Sequence, residues 1–346
     1  MLLEIKNKIE AELAKYLIRI DKSHQISRIS PLLYKEISAF VSGEGKRVRP
    51  ILFCIGYLGF ARKAASGLYQ SAVSIELLHD FMLIHDDIID KSPLRRGEPS
   101  MHMRLNQYLA RFKDIKFSGE DLGIVIADII YAMALNAFLS IKEDAGRKEK
   151  ALKKLIEAVF YTGSGEFIEL LLGIKRLEQV TKEDIYKIYD LKTANYTFAY
   201  PLTIGATLAG AARKDIGLLF DYGKHLGRAF QIKDDIQGIF NETAEMGKSN
   251  LTDLKEAKKT ILIWHAFRHS GRKNRLIIKK ILVKKDIRNI DLTKVRGIIY
   301  ESKTLEFAKK EIQELLAESD GLLKKCAMKQ AYKEGLQKFS NKLLSV

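Results

Sequence analysis

The sequence has few of the residues that cross-link a chain or interrupt its helices. Only two cysteines occur among 346 residues, Cys54 and Cys326, and both stand in apolar surroundings. A disulfide framework is therefore not indicated, which favours a reducing compartment, so we expect a cytoplasmic protein. Only five prolines occur, and long stretches of the chain are consequently free of residues that break helices.

Acidic residues are scarce relative to basic ones. Aspartate and glutamate number 43 against 59 lysines and arginines, which gives a formal net charge of +16. Such a charge indicates a lysine-rich solvated surface or an attraction for nucleic acid, anionic lipid or phosphorylated metabolites. The sequence has neither zinc-ligand spacing nor the aromatic–basic signature of a nucleic-acid-binding sheet, so we expect no nucleic-acid partner.

Uninterrupted apolar runs are also missing. The best candidate for a membrane-spanning helix, residues 124–141, contains Asp128 and Asn136, and a charge in mid-bilayer is costly. A buried core helix is the better interpretation, and we expect no integral membrane segment. Residues 1–17 are charged and amphipathic and lack the apolar core of a signal peptide.

Helical periodicity is present over most of the chain, and no convincing strand pattern accompanies it. The periodicity predicts helices over residues 2–20, 31–42, 49–60, 66–90, 121–141, 148–172, 181–210, 214–240, 257–270 and 295–319. The stretches 104–120 and 271–294 are polar and receive no assignment. The predicted fold class is therefore all-α, a single large helical bundle around a central cavity that comprises residues 1–346.

Two aspartate clusters follow apolar helical runs. The first is Asp86, Asp87 and Asp90, whose side chains project to one side of a helix at about 100° per residue. Carboxylates on one face repel each other, and a divalent cation removes that repulsion. The second cluster is Asp234 and Asp235. Since magnesium is usually held by one or two carboxylates, waters and substrate phosphates, the clusters predict a metal-bridged site for a phosphorylated substrate.

Basic residues accompany both clusters. They are Lys46, Arg47 and Arg49 in a glycine-containing turn, Arg95 and Arg96 after the first cluster, and Lys248, Lys258 and Lys259 after the second. Arginine binds phosphate through two parallel hydrogen bonds and lysine acts as a mobile point charge, so these positions predict phosphate contacts. His79 lies on the same helix face as Asp86, where it either donates a hydrogen bond to a phosphate or serves as a buried structural histidine.

In this order the motifs resemble those of the trans-isoprenyl diphosphate synthases, the polyprenyl synthetase family. The similar segments lie between about Gly43 and Thr260 and read GEGKRVRP, ELLHDFMLIHDDIIDKSPLRRGEPS, DLKTANYTF, FQIKDDIQGIF and GKSNLTDLKEAKKT. The resemblance implies an isoprenoid synthase bundle, a homodimer and a magnesium-dependent enzyme. Its reaction would join isopentenyl diphosphate to allylic diphosphates, namely dimethylallyl, geranyl and farnesyl diphosphate.

The resemblance also implies a role for each matching residue. Three magnesium ions per active site would be bound, with Asp86, Asp87 and Asp90 holding ions on the allylic diphosphate and Asp234 and Asp235 holding a further ion from the opposite side. Contacts to the allylic diphosphate or its metals would come from Arg95, Lys192, Thr193, Gln231, Lys248 and Lys258, and Lys192 and Thr193 would assist its ionisation. Isopentenyl diphosphate would be bound by Lys46, Arg49, His79 and Arg96, with Gly45 and Arg47 in the same turn.

Two residues before the first cluster bear on product length in this family. Bulky side chains at the positions of Phe81 and Met82 would set the floor of the tunnel for the growing chain. A single aromatic at the first of these positions resembles the geranylgeranyl (C20) pattern, whereas two aromatics would indicate the farnesyl (C15) product. Glycine, glutamine and glycine are usual where this chain has Ala127, Glu166 and Ala257, but none of these departures removes a metal ligand.

Other functions give different expectations. A terpene cyclase also ionises an allylic diphosphate, but it normally lacks the isopentenyl-binding set of basic residues. A non-catalytic regulatory subunit tends to lose one aspartate cluster, and both are kept here. A farnesyl diphosphate synthase would differ only in product length. Salt-dependent binding to DNA without diphosphate binding would favour a nucleic-acid-binding protein.

Overall fold

The structure is a computed structural model that describes residues 1–241 and 252–344. Contacts divide the chain into two compact units. The first comprises Met1–Lys153 and Pro201–Ala211, and the second comprises Lys154–Tyr200 and Ala212–Val346. The expectation of a single domain over residues 1–346 stays a prediction.

Helices make up nearly all of the regular structure in the described ranges, so the all-α prediction is confirmed. In chain order the elements are α1 (Leu2–His24), α2 (Ile26–Ile29), α3 (Pro31–Val41), α4 (Val48–Leu58), α5 (Leu68–Ile89), strands β1 (Leu94–Arg95) and β2 (Glu98–Pro99), α6 (Met101–Leu109), α7 (Gly119–Phe138), α8 (Ala145–Ile174), a 3₁₀ turn (Leu177–Gln179), α9 (Lys182–Ile188), a π-helical segment (Tyr189–Ala199), α10 (Tyr200–Leu208), α11 (Arg213–Phe240), α12 (Thr252–Lys255), α13 (Ile261–His269), α14 (Arg272–Leu282), α15 (Asn289–Glu301), α16 (Thr304–Lys325) and α17 (Gln330–Leu344).

Packing of α5 along α7 forms the centre of the first unit. Helix α7 begins at Ser118, whose hydroxyl accepts a hydrogen bond from the Asp121 backbone while the Asp121 carboxylate accepts one from the Ser118 backbone. Gly123 lets the helices approach, because a Cβ at this position would lie 3.1 Å from a methyl carbon of Ile88. The Tyr16 hydroxyl of α1 donates a hydrogen bond to the Met133 carbonyl at 2.7 Å.

Helix α7 is long and apolar enough to cross a membrane by length and composition alone. One of its faces, which includes Ile126, Ile130 and Met133, is buried in the first unit. Ile124 and Val125 on another face are exposed. The prediction of a buried core helix is therefore confirmed for one face of α7 and not for its whole circumference.

Helix α11 forms the centre of the second unit, where it packs along the π-helical segment and α16. Two glycines of α11 permit the close approach. A Cβ at Gly223 would lie 2.6 Å from the Ala199 backbone nitrogen, and a Cβ at Gly227 would lie 2.3 Å from the Ala194 Cα. A larger residue at either position would push the π-helical segment away from α11.

Several elements differ from the periodicity-based assignment. The predicted helix 181–210 is interrupted by the π-helical segment, which periodicity cannot distinguish from an α-helix. Helices α6 and α14 lie in or overlap the two unassigned stretches, and α17 was not predicted. Helix α14 buries only a narrow face that includes Ile278 and Ile281, and its sequence contains as many basic residues as apolar ones, so the stretch reads as polar.

Replacement of Gly205 tests the packing of α10 on α4. A Cβ added there would lie 2.1 Å from the Phe53 carbonyl oxygen, so we expect Gly205→Ala to lower the free energy of unfolding by about 1–3 kcal/mol. The matched control is Gly217→Ala on α11, which meets no atom within 4 Å. The control should gain about 0.5–1 kcal/mol, because alanine favours a helix interior. If the Gly205→Ala and Gly217→Ala proteins have equal free energies of unfolding in urea, the described packing of α10 on α4 is contradicted.

Candidate active site

The first aspartate cluster forms the C-terminal end of α5. Asp86 and Asp87 lie in the last turn of the helix, and Asp90 is its C-cap residue. A carboxylate oxygen of Asp86 and one of Asp90 lie within 4.8 Å of each other. Asp87 is fully buried, whereas the other two aspartates are partly exposed. Three carboxylates supply only oxygen ligands, and magnesium prefers oxygen ligands, so these residues fit that ion.

A hairpin returns a guanidinium group to this cluster. Arg96 and Gly97 form its turn with left-handed backbone angles, φ 56° and 83°, which places Arg95 against the aspartates. Arg95 Nε lies 2.9 Å from both carboxylate oxygens of Asp87, and its Nη2 lies 3.4 Å from Asp86. Burial opposes the charge, but the hydrogen bonds and negative charge of Asp87 raise the pKa of Arg95 above its ordinary value. Arg95 therefore offsets the repulsion among the aspartates.

The glycine-containing turn buries one of its three basic side chains. Arg47 is 2 % exposed. Its Nε and Nη1 donate hydrogen bonds of 2.8 Å to Glu10 and 2.6 Å to Glu76, and its Nη2 donates one of 2.7 Å to the Gly43 carbonyl. Burial opposes the charge, yet these carboxylates raise the pKa of Arg47. The substrate-binding role of Arg47 stays a prediction, and its contacts describe a structural ion triad.

The neighbouring residues of this turn have different surroundings. Gly45 lies beside the triad, because a Cβ there would approach Arg47 Nη1 to 3.3 Å. Lys46 is exposed and Arg49 is partly buried. A Cβ at Gly43 would lie 2.8 Å from Arg96 Nη1, so the side chain of Arg96 reaches this turn from the hairpin. The structure therefore brings together the basic side chains that precede α4 and follow α5.

His79 and Asp80 lie on α5 near these guanidinium groups. Burial, and then the charges of Arg49 and Arg96, lower the pKa of His79 well below its ordinary value. The ring is consequently neutral near pH 7 and retains one N–H donor. The alternatives of phosphate contact and structural histidine both remain compatible with a neutral ring.

Asp80 is a site neighbour that the sequence reasoning missed. Its carboxylate oxygens are buried and make no hydrogen bond within residues 1–241 and 252–344. Burial, and next the charge of Glu76, raise the pKa of Asp80 well above its ordinary value, although Arg96 acts in the opposite direction. Because the folded-state pKa is raised, ionisation of Asp80 reduces stability as the pH rises above about 3.9. The signal in the sequence was an aspartate flanked by the apolar residues Leu77, Leu78, Phe81 and Met82 of a predicted helix.

Phe81 and Met82 are both partly buried on α5. The Phe81 ring packs edge-on against His85, with centroids 4.9 Å apart, and tilts against Tyr131 of α7 at 5.2 Å. Tyr131 was not predicted, because it lies far from the aspartate motif in sequence. The side chains around Phe81 thus include a second large aromatic ring, which α7 contributes.

In the second unit, Lys192 lies in the π-helical segment between two glutamates of α8. Its Nζ is 2.6 Å from Glu166 and 2.6 Å from Glu169. A Cβ at Gly165 would lie 2.7 Å from the Lys192 backbone nitrogen, so a glycine permits this approach. Glu166, which departs from the usual glutamine, is thus balanced by the lysine that faces it.

A series of hydrogen bonds connects Thr193, the residue after Lys192, to the second aspartate cluster. Thr193 donates a hydrogen bond to Gln231 at 2.8 Å, and Gln231 donates one to Asp235 at 3.0 Å. The Tyr189 hydroxyl also donates to Asp235, and it accepts a hydrogen bond from the Ile261 backbone at 2.9 Å. Asp235 is buried, whereas Asp234 is exposed. Of the two aspartates in this cluster, Asp234 therefore presents its carboxylate to solvent and Asp235 does not.

Of the three basic residues after the second cluster, the structure describes Lys258 and Lys259. Lys248 lies outside the described residues. Lys258 Nζ lies 2.6 Å from Glu256. Lys259 donates a hydrogen bond to the Gly173 carbonyl at 2.5 Å. Ala257 has φ 52°, a left-handed angle that favours glycine, which explains why glycine is usual at this position.

Residues 30–299 match the polyprenyl synthetase family. The chain belongs to this family. The family is magnesium-dependent and acts on diphosphate substrates, which agrees with the acidic and basic residues described above. The predicted enzyme class, a short-chain trans-prenyltransferase, is confirmed. That the two aspartate clusters face one shared cavity stays a prediction, as does the role of each site residue.

Several relatives within the family are named for the prenyl diphosphate that they synthesise. The chain is 31% identical over 264 residues to geranylgeranyl diphosphate synthase of Saccharolobus solfataricus, covering 75% of this chain and 74% of that protein. It is 30% identical over 273 residues to geranylfarnesyl diphosphate synthase of Aeropyrum pernix, covering 78% and 79%. The fold is similar to that of geranylgeranyl pyrophosphate synthase from Corynebacterium glutamicum, complexed with isoprenyl diphosphate and magnesium, with a TM-score of 0.88 at 23% identity over 99% of both chains.

Substitution of Arg47 and of Lys46 separates an effect on protein stability from an effect on ligand binding. We expect Arg47→Gln to lower the free energy of unfolding by about 3–5 kcal/mol, because it leaves the buried Glu76 unpaired. The control Lys46→Gln changes an exposed side chain and should alter stability by less than about 0.5 kcal/mol while weakening diphosphate binding. Unfolding in urea and calorimetric titration with isopentenyl diphosphate measure the two effects. A stable Arg47→Gln protein with weakened binding would instead assign Arg47 to the ligand.

Proposed function

We propose that this chain is a magnesium-dependent geranylgeranyl diphosphate synthase that extends dimethylallyl, geranyl and farnesyl diphosphate with isopentenyl diphosphate. The observation that carries the proposal is the joint placement of Asp86, Asp87, Asp90 and Arg95 at the end of α5. Carboxylates that require a cation stand beside a guanidinium that binds phosphate, and a metal-bound diphosphate satisfies both.

The allylic diphosphate is proposed to bind at the two aspartate clusters with three magnesium ions. Magnesium, when bound, neutralises the charge of the leaving diphosphate. Asp86, Asp87 and Asp90 would hold ions on one side, and the exposed Asp234 would hold one on the other. Asp235 is proposed to position Gln231 and Tyr189, since it already accepts hydrogen bonds from both.

Lys192 and Thr193 are proposed to act on the same diphosphate. Glu166 and Glu169 hold the Lys192 ammonium in one place, so its charge is oriented before substrate binds. Gln231 holds the Thr193 hydroxyl in the same way. The basic residues Arg95, Lys248 and Lys258 complete the proposed set of diphosphate contacts.

Isopentenyl diphosphate is proposed to bind to Lys46, Arg49 and Arg96, with a hydrogen bond from neutral His79. In the reaction the allylic carbon–oxygen bond breaks, and a carbon–carbon bond forms to isopentenyl diphosphate. The proton that is lost goes to the departing diphosphate. Apolar side chains of α5 would shield the cationic fragment from water.

A C20 product is the preferred length. Phe81 is supported by Tyr131 and His85, so its ring is held in place rather than free to rotate aside. Met82 is unbranched and flexible, so it can adapt to a growing chain. The relatives that make geranylgeranyl and geranylfarnesyl diphosphate support a product in this range, and a farnesyl product is the alternative.

A cytoplasmic homodimer is the proposed state. Exposed apolar side chains of α8 in the second unit support an interface, because large exposed apolar patches mark association sites. They are Ile156, Phe160, Phe167, Leu170 and Ile174. Cys54 and Cys326 are unpaired, buried thiols, which agrees with a reducing compartment. Elution at monomer size at micromolar concentration would count against the dimer.

Incorporation of labelled isopentenyl diphosphate tests the proposed function. Purified protein with magnesium and farnesyl diphosphate should form product, and chelation of the metal should abolish it. We expect Asp86→Asn to reduce kcat at least about 100-fold, because its loss weakens charge neutralisation at the leaving group. The control Asp114→Asn changes an exposed loop residue with φ 55°, which asparagine tolerates, and should retain full activity. Wild-type protein without incorporation would favour the regulatory subunit.

Product length tests the role of Phe81. We expect Phe81→Ser to lengthen the main product beyond C20, because removal of the ring opens the space beside Tyr131. Chromatography of the dephosphorylated products measures the effect. Phe112→Ser is the control, since Phe112 is an exposed aromatic residue that is not among the ring contacts of Phe81. If the two variants give the same product as wild type, Phe81 does not set the length.

A further inference from the structure

Half of the net positive charge is concentrated in one short segment of the second unit. Residues 268–288 contain nine lysines and arginines and one aspartate, a net charge of +8 out of +16. All nine basic side chains are exposed. The proposed reaction uses none of them, so this basic segment requires a separate explanation.

Helix α14 forms the middle of the basic segment and has two unlike faces. Ile278 and Ile281 are buried in the second unit. Leu276 and Val283 are 50% and 82% exposed, and at about 100° per residue they lie within about 20° of each other around the helix axis. Two aliphatic side chains are therefore presented together to solvent, on the side away from the buried isoleucines.

Basic residues flank this exposed pair on both sides. By the same helical spacing, Arg272 and Lys280 lie about 40° to either side of Leu276, and Lys279 and Lys273 lie about 60° to either side. Lys279 is paired with Glu178. Arg272, Lys273 and Lys280 have no carboxylate within ion-pair distance in the described parts of the chain. Their charge is therefore available to an anionic surface.

A groove of about 560 Å³ adjoins the same face. Its lining contains four basic side chains, one carboxylate that pairs with Lys279, and two apolar side chains, namely Arg268, Arg272, Arg275 and Lys279, Glu178, and Phe267 and Leu276. The Arg275 guanidinium lies over the Phe267 ring, 5.7 Å from its centroid, and donates a hydrogen bond of 2.8 Å to the Arg268 carbonyl. Guanidinium groups that are fixed in this way can bind phosphate with little loss of side-chain freedom.

We infer that this face of α14 docks on the surface of an anionic lipid bilayer. Clustered lysines and arginines attract the phosphates of acidic lipids, and their aliphatic stems and the two exposed apolar side chains enter the headgroup layer. Nucleic acid offers the same phosphates but no apolar layer for Leu276 and Val283. The apolar pair therefore favours the bilayer, and nucleic-acid binding becomes an outcome of the test.

Vesicle flotation tests the inference on the full chain, without any measurement of catalysis. The probes are vesicles of phosphatidylcholine alone and vesicles with about one third phosphatidylglycerol, at about 0.15 M salt. We expect binding to the acidic vesicles only. Lys273→Gln combined with Lys280→Gln should weaken the partition coefficient by roughly tenfold or more, because each basic residue near the surface contributes about 1 kcal/mol.

Matched variants separate specific docking from general charge. Lys63→Gln combined with Lys309→Gln removes the same charge from other exposed positions and should leave binding unchanged. Leu276→Ser combined with Val283→Ser should weaken it roughly tenfold, since it removes the apolar insertion. Circular dichroism checks that each variant is folded. Equal loss in the control pair, equal binding to neutral vesicles, no vesicle binding, or binding to duplex RNA in place of vesicles would each overturn the inference.

Discussion

Repulsion among the carboxylates at the end of α5 is the constraint on which the candidate site of the first unit depends. Asp87 is fully buried, and an ionised carboxylate that is buried is tolerated only with a paired charge. The hairpin that follows α5 supplies that charge through Arg95. The left-handed angles of Arg96 and Gly97 make the return of the hairpin possible. Arg95 thus supplies part of the positive charge that these carboxylates need.

A second buried charge organises the glycine-containing turn. Arg47 joins Glu10 of α1 to Glu76 of α5, and its own backbone has a left-handed φ of 49°. The triad fixes the turn, and Lys46 remains exposed beside it. The motif GEGKRVRP therefore combines a buried, ion-paired arginine with an exposed lysine, for which we propose a contact with diphosphate. Sequence reasoning treats these residues alike, because burial cannot be read from charge.

The sequence predicts the elements whose signals are local. The helical class, both aspartate clusters and the family follow from periodicity and motif order. The π-helical segment does not, because its sequence has the same apolar spacing as an α-helix. Tyr131 beside Phe81, and Glu166 beside Lys192, are contacts between distant parts of the chain, which a single sequence does not encode in its spacing. Asp80 was not predicted, because its burial without a hydrogen-bond partner depends on packing that a single sequence does not show.

The π-helical segment has a consequence for how this enzyme can change through insertions and deletions. Its hydrogen bonds span five residues rather than four, so the segment holds more residues per turn than the α-helices on either side. Loss of one residue before Lys192 would let the segment relax to ordinary helix and would rotate Lys192 and Thr193 by about 100° relative to α9. The number of residues in this segment, and not only their identity, therefore determines which way these two side chains point.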